Sequence, residues 1–437
     1  METVISALPR SPKLKTDLPG PRACSLIARD RAVTSPSYTR DYPLVAARGE
    51  GCMVEDVDGN VFLDLTAGIA VTNTGHCHPS VVAAIQAQSS QLLHMAGTDF
   101  YYEPMIELSE RLSQRAPFPL NEQGIRAKVF LTNSGAESLE GALKLARYFT
   151  GRSQVIAFLG AFHGRTYGAM SLTGSKVVQR SGFSPLVPGV THIPYSLAGL
   201  DYLETSLFPT ILSPTEVAAI VVEPIQGEGG YIVPEAGFLA RIRQICDRHG
   251  ILMVVDEVQS GMGRTGKLFA IEHWQIQPDI VTLAKGIASG LPLGALLARP
   301  EMMTWSYGAH GNTFGGNPVA CAAANVTLDL LEEVLMDNAL VRGAELQEGL
   351  EQLSDLSLGL SPARGKGLMV GIDILDGDGQ LSPKRRHRIL EQCFHHGLLL
   401  LGCGKAAIRF CPPLVIDADQ IQVALSILKT VLEITLD

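Results

Sequence analysis

Six short apolar runs, at 128–131, 154–158, 218–222, 251–255, 280–283 and 295–297, are what most narrow the folds open to this chain. Most are apolar throughout instead of alternating, so both faces of each strand must be covered, and amphipathic helical stretches lie between several of them. That pattern predicts an α/β fold with a large, mostly parallel sheet carrying helices on both faces, over residues 75–320. Outside it the pattern changes. Residues 51–65 read as a hairpin turning at Asp58-Gly59-Asn60, and helical stretches at 318–334 and 344–353 precede strands at 368–374, 398–401 and 407–410. A smaller α+β lobe is therefore expected from the two chain ends, 21–74 and 321–437, with residues 1–20 as a flexible lead-in.

Charge and cysteine usage exclude several classes. The 35 basic and 44 acidic residues leave a net charge of −9 without a basic stripe, so no nucleic-acid partner is expected, and Lys384-Arg385-Arg386-His387-Arg388 reads as a solvated helix start. The eight cysteines form no CxxC pair, which argues against a disulfide framework or a thiolate zinc site and for a reducing compartment. Pro9, Arg10, Pro12 and Lys13 interrupt any secretory h-region, and no 18-residue apolar stretch offers a membrane span, so a cytoplasmic location without a membrane partner is expected. Gly75-His76-Cys77-His78, with no carboxylate nearby in sequence, reads as a structural or cofactor-side loop, and no metal is expected.

Four segments carry candidate chemistry. Ser134-Gly135-Ala136-Glu137 ends a strand and opens a helix; Ser134 and Glu137 have capping-box spacing, and the small residues suit either a phosphate at the helix N-terminus or a purely structural start. Phe162-His163-Gly164-Arg165 follows a strand at the edge where ligands of open α/β sheets bind. The run 251–255 ends in Asp256-Glu257-Val258-Gln259, and a carboxylate leaving a buried strand needs a cationic partner or a metal, a protonated pyridine nitrogen being one such partner. The run 280–283 likewise delivers Lys285, followed by Gly286, Gly290 and Gly294, which leave room for a planar group on the lysine. A lysine nucleophile, an acid for a ring nitrogen and a phosphate cradle together point to pyridoxal 5'-phosphate.

With Glu223-Pro224-Ile225-Gln226-Gly227-Glu228-Gly229-Gly230 and Thr313-Phe314-Gly315-Gly316-Asn317, these motifs resemble, in order, those of the class III aminotransferases, from about residue 20 to the end. The resemblance implies a fold type I homodimer, or a dimer of such dimers, with active sites at the subunit interface. It implies Lys285 as the catalytic Schiff-base lysine and Asp256 as partner of the ring nitrogen. Ser134, Gly135, Ala136, Phe162, His163, Glu223, Val258 and Gln259 would be cofactor contacts, Phe162 stacking on the ring and Gln259 holding its phenolic oxygen. Thr313 would reach the neighbouring subunit's phosphate. Arg165 matches the arginine that grips a substrate carboxylate, and Glu228 with Arg409 a gate between two substrates; Thr98 and Asp99 would meet the substrate's distal end. The implied reaction moves an amino group from an ω-amino donor (4-aminobutyrate, ornithine or acetylornithine type) to 2-oxoglutarate. Around 93–101 and 401–405 the chain is similar to the broad-specificity amino-acid racemases of the same family, which makes racemisation the alternative. Gly261-Met262-Gly263-Arg264-Thr265-Gly266 fits a dinucleotide fingerprint but has no helix legible after it.

Overall fold

The computed structural model describes residues 7–435. The chain divides into two compact units, one running to Pro79 and resuming at Asp337, the other spanning Ser80–Met336. The boundaries thus fall at 79/80 and 336/337 instead of 74/75 and 320/321, because the helix Pro318–Leu330 packs within the larger unit.

In the first unit the helix Pro21–Val33 precedes β1 (Ala46–Glu50), β2 (Met53–Asp56) and β3 (Val61–Asp64). The expected hairpin is present, Met53 facing Leu63 and Val54 facing Phe62. Its turn is closed by Asp56, whose Oδ1 accepts the amides of Asp58 (2.9 Å) and Asn60 (2.8 Å), while Gly59 takes φ +86°. Residues 1–6 of the expected lead-in lie outside the described residues, and the rest is pinned, not free: the Leu8 amide donates to Glu50 at 2.9 Å, Lys13 exchanges backbone hydrogen bonds with Val61, and the Asn60 side chain accepts the Lys15 and Thr16 amides.

In the larger unit come β4 (Lys128–Thr132), β5 (Gln154–Phe158), β6 (Val190–Ile193), β7 (Val217–Val222), β8 (Leu252–Asp256), β9 (Ile280–Leu283) and β10 (Gly294–Ala298). They form one sheet in the order β4-β10-β9-β8-β7-β5-β6, with β10 antiparallel to both its neighbours and the run from β9 to β6 parallel. β7, β8 and β9 are buried at every residue, as their apolar sequences require. β6 was not legible because Thr191 and His192 break the apolar run on a half-buried edge strand. The helix Gly135–Thr150 lays Leu139, Ala142, Leu143 and Ala146 into this core and ends at Gly151 in the left-handed region, φ 67°.

The chain then returns to the first unit with β11 (Arg364–Lys366), β12 (Met369–Asp373), β13 (Leu398–Leu399), β14 (Leu401–Cys403) and β15 (Ala407–Phe410). β13 joins β3 in parallel, so the two chain ends share the sheet β1-β2-β3-β13, while a second sheet runs β11-β12-β15-β14.

The basic cluster opens the helix Pro383–His395, but Arg385 is buried, not solvated. Its guanidinium donates to the carbonyls of Leu358 (2.8 Å), Gly359 (3.1 Å), Leu375 (2.8 Å) and Thr435 (3.2 Å). Replacing it leaves those acceptors unsatisfied at about 1–3 kcal/mol each where they stay dry. Arg385→Met is expected to destabilise this unit by roughly 3 kcal/mol or more in denaturant unfolding, against a change within about 0.5 kcal/mol for Lys384→Met; equal small effects would contradict the anchoring role.

Candidate active site

The parallel strands bring their carboxyl ends to one edge of the sheet, and chemistry collects there. β8 ends in Asp256, almost fully buried, in register with Thr282 of β9. Its Oδ2 pairs with His163 Nδ1 at 2.7 Å, and its Oδ1 accepts the Val258 amide at 3.0 Å and the Thr282 hydroxyl at 3.3 Å. Burial on its own would lower the His163 pKa, but the hydrogen bond and charge of Asp256, helped by Glu223, outweigh it and raise the imidazole above its ordinary value. His163 is positioned by its amide, which donates to Thr173 Oγ1 at 2.9 Å, and its Nε2 is a buried atom without a hydrogen-bond partner. Three residues past Thr282 on the neighbouring strand, Lys285 opens a short 3-10 turn at φ +45°. Held strain of that kind in a side-chain-bearing residue, one strand from a buried acid, is a mark of a functional site.

Close approach of three segments forms a cradle beside this pair. A Cβ on Gly135 would lie 2.7 Å from Val258 Cγ1, and one on Gly164 would lie 2.7 Å from the Ala136 side chain. Ser134 caps the helix by accepting the Glu137 amide at 3.2 Å. The reciprocal half of the expected capping box is displaced by one residue: the Glu137 carboxylate receives the Asn133 amide (2.9 Å) and side chain (2.8 Å), not the Ser134 amide. Gly135 and Ala136 are the first helical residues, so their N–H groups point out of the helix end toward any anion placed there. A phosphate-bearing ring with a basic nitrogen fits this set: amides for the phosphate, a buried carboxylate for the nitrogen and a lysine at the end of the neighbouring strand.

The remaining sequence candidates distribute as follows. Phe162 is half-buried with the exposed Arg165 guanidinium 5.5 Å from its ring centroid. Gln259 Oε1 accepts the Tyr231 hydroxyl at 2.8 Å. Both oxygens of Glu223, expected among the cofactor contacts, are taken by backbone amides, those of Phe162 (3.2 Å) and Gly227 (3.1 Å). Glu228 receives Lys176 Nζ at 3.1 Å, whereas Arg409 lies buried in β15 of the other unit. Thr98 donates to Asp99 at 2.9 Å on an exposed loop; that loop is tied to the segment holding the exposed Thr313 by Asn317 Nδ2 donating to the Leu93 carbonyl (2.9 Å) and the Tyr102 hydroxyl to that of Gly316 (2.8 Å).

Thr173, Tyr231, Thr282 and Lys176 left no sequence signal, since each meets its partner only through tertiary folding. Glu257 was visible as the second carboxylate of its motif; it is fully buried, accepting the Ser260 hydroxyl (2.5 Å) and the Ile271 amide (2.8 Å). His76, expected to lack a carboxylate, pairs with Asp64 at 2.8 Å. Among the described residues no His, Cys, Asp or Glu group is arranged to hold a metal ion. No helix directly follows the Gly261–Gly266 motif, and Arg264 within it is fully buried, so the dinucleotide reading has no helix N-terminus to use.

The family model for class-III aminotransferases matches residues 34–432. The chain belongs to that family. It is a pyridoxal 5'-phosphate-dependent aminotransferase by membership, and the site just described fits the cofactor. An acetylornithine aminotransferase of Methanopyrus kandleri is 43% identical over 392 residues, covering 89% of this chain and 94% of its own. An alanine/serine racemase of Pyrococcus horikoshii is 37% identical, covering 97% and 93%. Among solved structures, the ornithine aminotransferase of Toxoplasma gondii superposes with a TM-score of 0.85 at 31% identity, over 97% of this chain and 96% of that one.

Burial pushes the carboxyls of Glu223 and Glu257 from 4.5 up to about 7. Each group therefore holds its proton more tightly folded than unfolded, and its contribution to stability is complete below about pH 4.5 and lost as pH rises through about 7. His163, raised above 6.5, acts in the same direction. Glu257→Gln removes one such loss, so its stability relative to wild type is expected to improve by up to about 3 kcal/mol between pH 5 and pH 8; thermal unfolding at the two pH values checks this, and a relative stability that declines across that window contradicts it.

Proposed function

We propose that this aminotransferase takes its amino group from an ω-amino donor of the 4-aminobutyrate, ornithine or acetylornithine type and passes it to 2-oxoglutarate. The observation that carries the assignment of roles is the placement of Lys285 one strand from the Asp256–His163 pair. When bound, pyridoxal phosphate supplies a carbonyl for amines and an electron sink for the bonds of the amine-bearing carbon. The chain's residues do the rest. Amides of Gly135 and Ala136 and the Ser134 side chain hold the phosphate. Phe162 would cover a ring face and Gln259 would hold the phenolic oxygen, while Val258 closes the cradle over Gly135. Asp256, oriented by His163 and Thr282, keeps a proton on the ring nitrogen. Lys285 Nζ takes the proton from the substrate carbon and delivers it again.

Substrate choice follows from charge. Arg165 presents an exposed fork beside Phe162, suited to a carboxylate. Arg409 serves as the second carboxylate receiver and Glu228 as the switch between donor and acceptor, while Asp99 with Thr98 meets a distal amino group. A homodimer, alone or paired into a dimer of dimers, places Thr313 against the neighbouring subunit's phosphate. Exposed aromatics on those loops, Tyr101 at 94% and Phe314 at 62%, support a covered interface. A cytoplasmic location accords with eight cysteines that are all free.

The racemase of Pyrococcus horikoshii aligns with more of the chain than the acetylornithine enzyme, 97% against 89%, which keeps racemisation as a second reading. The two differ in where Lys285 returns the proton. Purified enzyme given L-ornithine is expected to form glutamate only when 2-oxoglutarate is present; D-ornithine appearing without the oxo-acid would instead establish racemisation. Lys285→Ala should abolish both turnover and the absorbance near ~410–430 nm that marks cofactor bound to an amine. Arg165→Ala should raise KM for carboxylate-bearing substrates by roughly 10- to 100-fold and leave simple amines within about twofold, and an equal loss for both would remove its role.

A further inference from the structure

Glu223 is nine-tenths buried at the end of β7, and its two oxygens serve two different loops. Oε2 accepts the amide of Phe162, which follows β5, and Oε1 accepts that of Gly227, which begins the turn leading to Glu228. The same two loops meet a second time nearby, where Gln226 Nε2 donates to the Leu159 carbonyl at 2.8 Å. They approach so closely that a Cβ on Gly160 or on Gly229 would stand 2.5 Å from Gln226 Oε1. Glu223 itself is fixed from behind, its carbonyl accepting the Tyr195 hydroxyl at 2.9 Å.

We propose that Glu223 is a positioning residue that clasps the Phe162 and Gly227 loops together and so sets the distance between Arg165 and Glu228, the two charged groups that sort substrates. The inference rests on the substrate reading given above. Arg165 lies three residues past one clasped amide, its guanidinium over the Phe162 ring, and Glu228 lies one residue past the other. A carboxyl is the right group because in either protonation state each of its two oxygens keeps an acceptor lone pair, so one planar head can satisfy two amides at once. Glutamine of the same shape turns an N–H toward one of them, and aspartate retracts the head by one carbon. The titratable groups facing Glu223 are His163 from the loop after β5, Asp256 from β8 and the Tyr195 hydroxyl from the segment after β6. Burial, the largest effect, opposes the ionised clasp, His163 favours it and Asp256 opposes it.

The test compares holoenzyme with Glu223→Gln and Glu223→Asp by hydrogen-exchange mass spectrometry and by steady-state kinetics with 4-aminobutyrate, 2-oxoglutarate and a primary amine without a carboxylate. Backbone exchange in 159–166 and in 226–231 is expected to speed up together by about tenfold. KM for the two carboxylate substrates is expected to rise by about tenfold, against a rise within about twofold for the simple amine. Exchange that rises in one segment only, or in neither, overturns the clasp. So does a KM increase of the same size for the simple amine, since that is what a merely structural role would give. If wild type transfers no amino group at all, the substrate reading fails, while the exchange comparison still decides the clasp.

Discussion

A carboxylate at the end of a fully buried strand is the constraint on which the larger unit turns. Asp256 leaves β8 in a place where an unanswered charge would be held neutral, so the fold supplies three donors: an imidazole from the loop after β5, a hydroxyl from β9 and the amide two residues ahead. Each donor comes from a different strand end, and meeting that requirement draws the loops after β5, β8 and β9 together. Lys285, the Phe162 loop and the helix start at Ser134 converge as a result. The stabilisation is conditional on the parallel register, because a shift of one residue would turn Asp256 away from Thr282 and His163.

The same edge shows how glycine and strain serve chemistry. Val258 and Gly135 touch only because there is no side chain on one of them, and the same holds for Ala136 and Gly164. Lys285 has no such freedom and sits in the left-handed region regardless. Its strain is tolerated because flanking residues Leu283, Gly286 and Ile287 are fully buried and fix the backbone on both sides. Packing around the site thus aims a side chain that would relax elsewhere if exposed.

What was legible in the sequence follows from how local each signal is. The strands ending at Phe158 and Leu283, and the hairpin around Gly59, announce themselves by runs and turns of adjacent residues, and the structure places them at those positions. β6 was hidden because its polar residues sit on an edge, and β1 because Ala46–Glu50 is short, largely exposed and without an apolar run. The pinned lead-in depends on Asn60, more than forty residues away, and the burial of Arg385 depends on carbonyls from three other segments. At the site, Asp256 and Lys285 were readable because charge at the end of an apolar strand is anomalous. The work of Glu223 was not, since its motif shows a carboxylate but nothing about which amides it meets.

The most direct test of the central claim is to find which lysine carries the cofactor. Borohydride reduction of the holoenzyme, followed by proteolysis and mass spectrometry, would fix a pyridoxyl group covalently to the amine that holds it. The geometry around Asp256 predicts that label on Lys285. A label on any other lysine, such as Lys176 or Lys144, would contradict the account of the site.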